Sequence, residues 1–271
     1  MRFCGLGIAD AVPDANTLWD FREAFIRANA LDALLSKMDM AINQAGFITR
    51  SGQIVGTSLV AAPRQRNTDR EKAAIKAGKC ASEIWPDKLA KAAQKDVDGR
   101  WTVKYSKAKV RADVSKPVGI AIPLYGYKSH VSIDRMHGVF RRQLVTDASR
   151  HDGTRLREGL IQMANTAQDV WADSAYRSAK NEFSAERQWH DQLGKLQKPH
   201  SRPTPQRTSR ANGRKSAVRS MVEHVFAQQK ARMGLTIRTI GLTRARAAIT
   251  LANIAYYMTR LRWLQGRTLP A

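Results

Sequence analysis

The sequence predicts an α/β fold in which helices pack on a mixed sheet. Apolar residues make up 43% of the 271 residues, which is enough for a buried core. Residues 13–45 have the apolar spacing of helices, whereas residues 53–60 are rich in β-branched residues and begin a run of strands. From there strands and helices alternate toward the C-terminus, which is typical of a sheet with helices on its faces.

The first element is a short helical N-terminal module, which we place at residues 1–48. Asp14 and Asn16 lie in a segment with good N-cap residues, and Gly46 is a suitable helix stop. Apolar residues recur at helical spacing in two runs between these signals: Leu18, Phe21, Phe25 and Ile26, then Leu31, Leu34, Leu35, Met38 and Ile42. Two helices are therefore expected.

A basic insertion, residues 63–112, follows the strand at 53–60. Within it, 46 residues starting at Arg64 carry 13 Lys or Arg against six acidic residues and few large apolar ones. We expect this insertion to be an excursion from the main fold that contains a helix near residues 68–76. Trp85 and Trp101 are expected to hold it to the body.

The central segment then predicts strands. Residues 118–125 and 128–133 form one long bent strand or two short ones, and residues 139–146 form another after a turn at His137-Gly138. A helix is expected at 152–163. Residues 169–173 resemble a short buried strand.

The C-terminal third predicts further alternation. We expect a helix at 177–188, a strand at 193–198 and a loop at 199–214, where Pro, Ser and Arg predominate. Two helices, near 215–233 and 243–265, complete the chain.

The charge indicates the partner. Lys and Arg number 46 and Asp and Glu 23, so the formal net charge is +23 and the sequence pI is about 10.7. A polyanion is the natural partner of such a chain, and nucleic acid fits best. The two cysteines form neither a zinc motif nor a disulfide framework, and no segment resembles a signal peptide or a membrane span. We therefore expect a cytoplasmic protein without a membrane partner.

Two groups of residues suggest chemistry. At about 100° per residue, Arg219, Glu223 and Lys230 fall within an arc of about 40° on one predicted helix, beside an apolar face. An ordinary surface pair of Arg and Glu is the alternative for that pattern. Asp173 ends the apolar strand before Ser174, and ligand-binding groups gather at such strand ends. A helix cap or turn residue is the alternative for Asp173.

These residues have the spacing R-(3)-E-(6)-K, which resembles the last catalytic region of the bacterial insertion-sequence DDE transposases, Y-(2)-R-(3)-E-(6)-K. Ser216 stands at the Tyr position. The segment WADSAYRS resembles the region of the second catalytic Asp, which corresponds to Asp173 here. GQIVGTSLVAAPRQRNT resembles the strand of the first catalytic Asp in the insertion-sequence-five-like group, and Gly56 stands at that position.

The resemblance extends over nearly the whole chain, through VPDANTLWDFREA, GYKSHVSIDRMHG, VTDASRHDG and VEHVFAQQKARMG. It implies a ribonuclease-H-like DDE domain at residues 49–266 with the basic insertion inside it. It also implies that the chain starts late, since the family usually has a longer helical N-terminal region. Further implications are a bacterial, nucleoid-associated enzyme, a homodimer in a synaptic complex, and double-stranded DNA partners, namely the inverted-repeat ends and the target.

The family's reaction cleaves DNA at the element ends and transfers the strand to a target. Two Mg²⁺ ions held by three acids would stabilise the displacement at phosphorus. Asp173 and Glu223 supply two of these metal ligands, but Gly56 supplies no ligand atom. Thr57 and Ser58 could at best bind a metal-bound water, and Asp69 lies outside the strand. We therefore expect weakened metal binding and impaired activity in this copy, with Gly56→Asp as the direct test.

Several cations are expected to contact DNA phosphates. Arg219 and Lys230 would do so near the cut, and the remaining candidates are Arg64, Arg66, Lys128, Arg177, Arg214, Lys215, Arg244 and Arg246. Asp147 and Asp152 are the alternative acids to Asp173, although Asp152 is also a good helix cap. We expect His130, His151 and His224 to be structural. A non-catalytic DNA-binding remnant of a transposase is the alternative function.

Overall fold

A central mixed sheet carries helices, in agreement with the predicted fold class. The computed structural model describes residues 7, 9–47, 52–105, 119–161, 169–176, 178–181 and 205–268. Most of the predicted helix at 177–188, and the whole of the predicted strand at 193–198, lie outside these residues.

The N-terminal module consists of two helices, as predicted: α1 (Ala15–Arg27) and α2 (Ala30–Gln44). The carboxylate of Asp14 caps α1 by accepting the backbone N–H of Thr17 at 2.7 Å. Gly46 follows α2 with a φ of +83°, a left-handed conformation that glycine adopts without strain.

β1 (Gln53–Ala61) lies inside the sheet. It pairs antiparallel with the long strand β3 (Ala121–Asp134) and parallel with the short strand β5 (Val170–Trp171). The other edge of β3 pairs antiparallel with β4 (Phe140–Asp147), and this pairing involves the C-terminal half of β3. Of the two alternatives for residues 118–133, the structure shows the single long strand.

The basic insertion is only partly an excursion, which corrects the prediction. It contains α3 (Asp69–Lys76), as predicted, and the short helices α4 (Ala81–Ile84) and α5 (Leu89–Gln94). It then returns to the sheet as β2 (Arg100–Tyr105), which pairs antiparallel with the N-terminal half of β3. This strand was missed because it lies within the charged stretch and its side chains are mostly exposed.

The two tryptophans of the basic insertion differ in role. Trp85 is buried and its indole N–H donates to the Glu71 carboxylate at 2.7 Å, so it packs inside the insertion. Trp101 lies on β2 and is 45% exposed, but its ring packs against Tyr125 of β3 with centroids 5.5 Å apart, so it contacts the body as expected. The buried carboxylate of Asp96 also holds the insertion to the sheet, because it accepts the hydroxyl of Tyr127 at 2.7 Å and the N–H of Gly99 at 3.0 Å.

The predicted helix at 152–163 ends early. α6 (Asp152–Arg155) continues into a π-helical turn, Leu156–Leu160, in which Gly159 has a φ of +86°. A left-handed residue cannot continue a helix, so the chain turns here.

The C-terminal third differs from the prediction at one boundary. α7 (Gln206–Ala227) begins where a loop was expected at 199–214, of which residues 199–204 lie outside the described part. Proline precedes the helix at Pro205, where its missing N–H costs nothing, and none occurs within it. A π-helical turn, Gln228–Arg232, then leads toward α8 (Leu242–Thr268).

The main core lies between the sheet and the helices. One face of β1 packs on α2, α7 and α8 through buried apolar residues that include Ile42, Ile54, Val222, Val225, Phe226 and Tyr257. The opposite face carries Val55, which packs with Leu156, Leu160 and Tyr176. This arrangement fixes α7, and with it Glu223, against the middle of β1.

Candidate active site

Gly56 lies in the middle of β1, where α7 approaches the sheet most closely. A Cβ atom added to this glycine would lie 2.6 Å from Cγ1 of Val222 and 3.1 Å from Cε2 of Phe226. Cβ atoms in proteins essentially never approach another heavy atom to less than 3.0 Å, so a side chain here would require its neighbours to shift. The space that a side chain at residue 56 would need is therefore filled by α7.

A cavity of about 740 Å³, here called the Glu223 cavity, opens beside this contact. Its lining includes Gly56, Asp173, Arg219, Glu223 and Lys230. Asp173 comes two residues after the end of β5, which runs parallel to β1, whereas Glu223 projects from α7. The structure therefore brings these five sequence-predicted positions together from distant parts of the chain.

Arg219 joins the two carboxylates. One terminal nitrogen of its guanidinium lies 3.2 Å from the Glu223 Oε1 and 3.7 Å from the Asp173 Oδ2. Both acids thus lie against the same nitrogen, side by side. Arg219 is mostly buried while Glu223 is 57% exposed, so the guanidinium lies inside and the carboxylate faces the cavity.

Three lysines line the same cavity, of which Lys128 is paired with Asp152 and the other two add positive charge. Lys230 comes from the π-helical turn after α7, and Lys104 comes from β2. Burial lowers the pKa of the Lys230 ammonium, and repulsion from Lys104 lowers it further, while Glu223 has the opposite effect. Neither lysine has an ion-pair partner within the described part of the chain, so a bound anion is the natural neighbour for both.

A buried hydrogen-bond network lies under the cavity. The Thr57 hydroxyl bonds to Nδ1 of His130 at 2.9 Å and to the Tyr176 hydroxyl at 2.5 Å, while Nε2 of His130 bonds to the Thr146 hydroxyl at 2.9 Å. Thr57 is thus already engaged by two protein groups. Tyr176 is buried, and burial raises the pKa of its phenol. These residues support the floor of the cavity.

His130 gives the protein a pH-dependent stability. Burial lowers the pKa of this imidazole to about 4, from 6.5 when it is exposed. Between pH 4 and 6.5 the unfolded chain therefore binds more protons than the folded chain. The free energy of unfolding should fall by up to about 3 kcal/mol as pH drops from 6.5 to 4. Denaturant unfolding at several pH values measures this loss. His130→Gln should reduce the loss, and the exposed His224→Gln should retain it; an equal loss in all three proteins would contradict the assignment.

The residues present do not fit a two-metal site. In the described ranges no three Asp, Glu, His or Cys side chains come together as a group that could hold a metal ion. Asp173 and Glu223 are hard oxygen ligands of the type that Mg²⁺ prefers, but Arg219 lies against both and Gly56 contributes no ligand atom.

The other acids considered from the sequence lie elsewhere or have partners. Asp147 pairs with Arg150 and does not line the Glu223 cavity. Asp152 does line it, with Oδ1 2.8 Å from the Lys128 Nζ. Asp152 is not the helix cap that was expected, because the N-cap of α6 is His151. Asp69 begins α3 and is exposed, away from the cavity.

The expected DNA-binding cations are dispersed. Lys128 lines the Glu223 cavity, and Arg64 lies over the Trp101 ring. Arg66 is exposed on the basic insertion, and Arg214 and Lys215 lie on the N-terminal half of α7. Arg177 is outside the described residues.

Arg244 and Arg246, also expected to bind DNA, contact the N-terminal module. Nε of Arg244 lies 3.0 Å from the Glu23 carboxylate, and Arg246 lies 2.6 Å from Asp32. The structure therefore uses both arginines to hold α8 against α1 and α2, and it does not bring them to the cavity.

Two features of the cavity were missed from the sequence. Val222 lies on the apolar face of its helix, and nothing in the sequence places it against residue 56. Lys104 was counted within the basic insertion, and only the strand pairing of β2 brings it to the cavity. The alternation of RWTVKY was the one local signal for that strand.

Residues 123–258 match the family described as the transposase DDE domain. This match covers half of the chain, and the chain belongs to that family. The family supports a transposase function and a DNA-processing class of enzyme. No curated protein and no solved structure matches the chain. The structure has no helix in its described ranges that is long and apolar enough to cross a membrane.

Proposed function

We propose that this chain is an insertion-sequence transposase, of the insertion-sequence-five-like group, that binds element-end DNA but is impaired in cleavage and strand transfer. The observation that carries this proposal is the Glu223 cavity. Arg219 joins Asp173 and Glu223 there, a third acid, Asp152, is paired with Lys128, and Lys104 and Lys230 have no ion-pair partner among the described residues. Gly56 lies in the same lining, at the position that the family resemblance gives to a further carboxylate.

The cations of the cavity suit a phosphodiester. Arg219 has a planar guanidinium that can contact two phosphate oxygens, whereas Lys230 and Lys104 act as point charges. A phosphate placed between the two lysines would relieve the repulsion between them. The formal net charge of +23 would add a long-range attraction to the rest of the duplex.

Catalysis would lack one ligand. With Gly56 at the first position, any Mg²⁺ would be held by Asp173 and Glu223 alone, in competition with Arg219. The alternative function, a non-catalytic DNA-binding remnant, is favoured by the packing of Val222 and Phe226 into the space of the missing carboxylate. Both functions include DNA binding and differ only in residual chemistry.

A binding experiment with element-end DNA tests the common part. The DNA flanking the gene supplies the inverted-repeat ends, and fluorescence anisotropy measures affinity between 50 and 200 mM salt. The affinity should fall steeply with salt, and Lys230→Gln should reduce the slope of log K against log[salt] by about 0.9. Lys88→Gln, an exposed lysine of the basic insertion outside the cavity, is the matched control and should lower the affinity less.

The same duplex, incubated with wild-type protein and Mg²⁺, tests the impairment. We expect no more cleavage than with Glu223→Gln. Binding that is independent of salt would overturn the DNA-binding proposal, whereas robust cleavage by the wild-type protein would overturn only the impairment.

A further inference from the structure

A second cavity, of about 810 Å³, lies outside the Glu223 cavity. We call it the Trp101 cavity. α3, the turn at 96–99, β2 and the segment after β4 enclose it, and its lining includes Lys76, Arg100, Trp101, Tyr125 and Arg150. Its volume lies within the range of roughly 300–1,000 Å³ that is usual for small-ligand sites. Neither the proposed catalysis nor the proposed duplex contacts use it.

An aromatic platform forms one wall. Trp101 is 45% exposed although it lies on a strand of the sheet. Tyr125, its partner on β3, packs beside it with ring centroids 5.5 Å apart and is itself buried. The guanidinium of Arg64 lies over the indole, 5.8 Å from the ring centroid. Such a ring, fixed from one side and open on another, can stack on a planar group.

The cavity lining also includes cationic groups. The guanidinium of Arg100 donates to the carbonyls of Val97, Gly99 and Ile75, so its hydrogen bonds are satisfied but its charge is not neutralised by them. Lys76 has no ion-pair partner among the residues that the structure describes. Two acids line the cavity: Asp96 is buried and accepts hydrogen bonds from Tyr127 and Gly99, and Asp147 is paired with Arg150.

The turn that carries this site is rigid. Asp96 holds the N–H groups of Asp98 and Gly99, and the backbone carbonyl of Asp96 accepts the hydroxyl of Tyr125 at 3.1 Å. Asp98 in turn accepts the N–H of Leu242 at 2.8 Å, at the start of α8. The cavity is thus formed before any ligand arrives, which favours binding because little order has to be created.

We propose that the Trp101 cavity is a second nucleic-acid site, one that takes an unpaired nucleotide. Its base stacks on Trp101 in the place of the Arg64 guanidinium, and its phosphate lies against Lys76 and Arg100. A duplex cannot supply this ligand, because its bases are already stacked and paired. Single-stranded DNA and a free nucleotide share the required chemistry.

The test uses the full-length protein and a fluorescein-labelled ten-residue oligothymidylate. Trp101→Ala should weaken binding about tenfold, whereas Trp101→Phe should retain most of the affinity. Trp263→Ala is the matched control, because Trp263 is also 45% exposed and is covered by Arg260 and Arg267, but lies on α8 outside the cavity. This control should bind like the wild type. Circular dichroism of each variant checks that it is folded.

Two further arms define the ligand. An oligonucleotide of abasic residues should bind more weakly and should not respond to Trp101→Ala, and Lys76→Gln should reduce the salt slope for oligothymidylate by about 0.7. If thymidine monophosphate competes at low concentration, the site is assigned to free nucleotides. If it does not compete, the site is assigned to single-stranded DNA. Equal affinities for wild type and Trp101→Ala, or equal losses in Trp101→Ala and Trp263→Ala, would overturn the proposal. Duplex binding through Lys230 would be unaffected by either outcome.

Discussion

The double variant Gly56→Asp with Val222→Ala is expected to cleave element-end DNA in the presence of Mg²⁺ at least about a hundredfold faster than the wild type. Gly56→Asp supplies the third carboxylate beside Asp173 and Glu223, and Val222→Ala removes the methyl groups that fill its place. Cleavage of an end-labelled duplex, followed over time on a denaturing gel, measures the gain.

Two controls separate this gain from side effects. Gly56→Asn with Val222→Ala has nearly the same shape but no anionic oxygen, and it should stay at the wild-type level. Adding Glu223→Gln to the active double variant should abolish the gain. Equal cleavage by the Asp and Asn variants would show that residue 56 does not act as a ligand.

The single variant Gly56→Asp is expected to lose about 3 kcal/mol of unfolding free energy. Its Cβ would lie 2.6 Å from Val222, and overpacking of this kind costs about 1–3 kcal/mol. Removing a carboxylate from water in this buried strand adds a cost of similar size. Denaturant unfolding at pH 7 measures the loss.

A double-mutant cycle identifies the steric part of that loss. Gly56→Ala introduces only the Cβ, and Val222→Ala removes the atoms that it would meet. If the contact is the cause, the two changes together should destabilise less than the sum of their separate effects, by 0.5 kcal/mol or more. Additive losses would mean that α7 does not close on residue 56.

Local patterns predicted much of the fold. The strands β1 and β4 were found because β-branched residues and turn signals mark them within the sequence itself. Arg219 and Glu223 were placed on one face because helical periodicity fixes their separation, and the structure retains that pair. The position of Asp173 beside them came from the family resemblance and the rule for strand ends, not from periodicity.

Long-range packing accounts for what was missed. β2 is exposed, and only its pairing with β3 makes it a strand. α7 begins at Gln206, nine residues before the predicted helix start at 215. These nine residues are helical without an apolar face, and their polar composition therefore suggested a loop. The approach of Val222 to Gly56 depends on where α7 lies on the sheet, which no local pattern encodes.

The most direct test measures Mn²⁺ binding by electron paramagnetic resonance. It asks whether a carboxylate at residue 56 completes a metal site with Asp173 and Glu223. The wild type and Val222→Ala should bind Mn²⁺ weakly. Gly56→Asp with Val222→Ala should bind it at least about tenfold more tightly, and Asp173→Asn or Glu223→Gln should reverse that gain. Binding to the wild type as tight as to the double variant, or a gain that survives the loss of Asp173 and Glu223, would contradict the account.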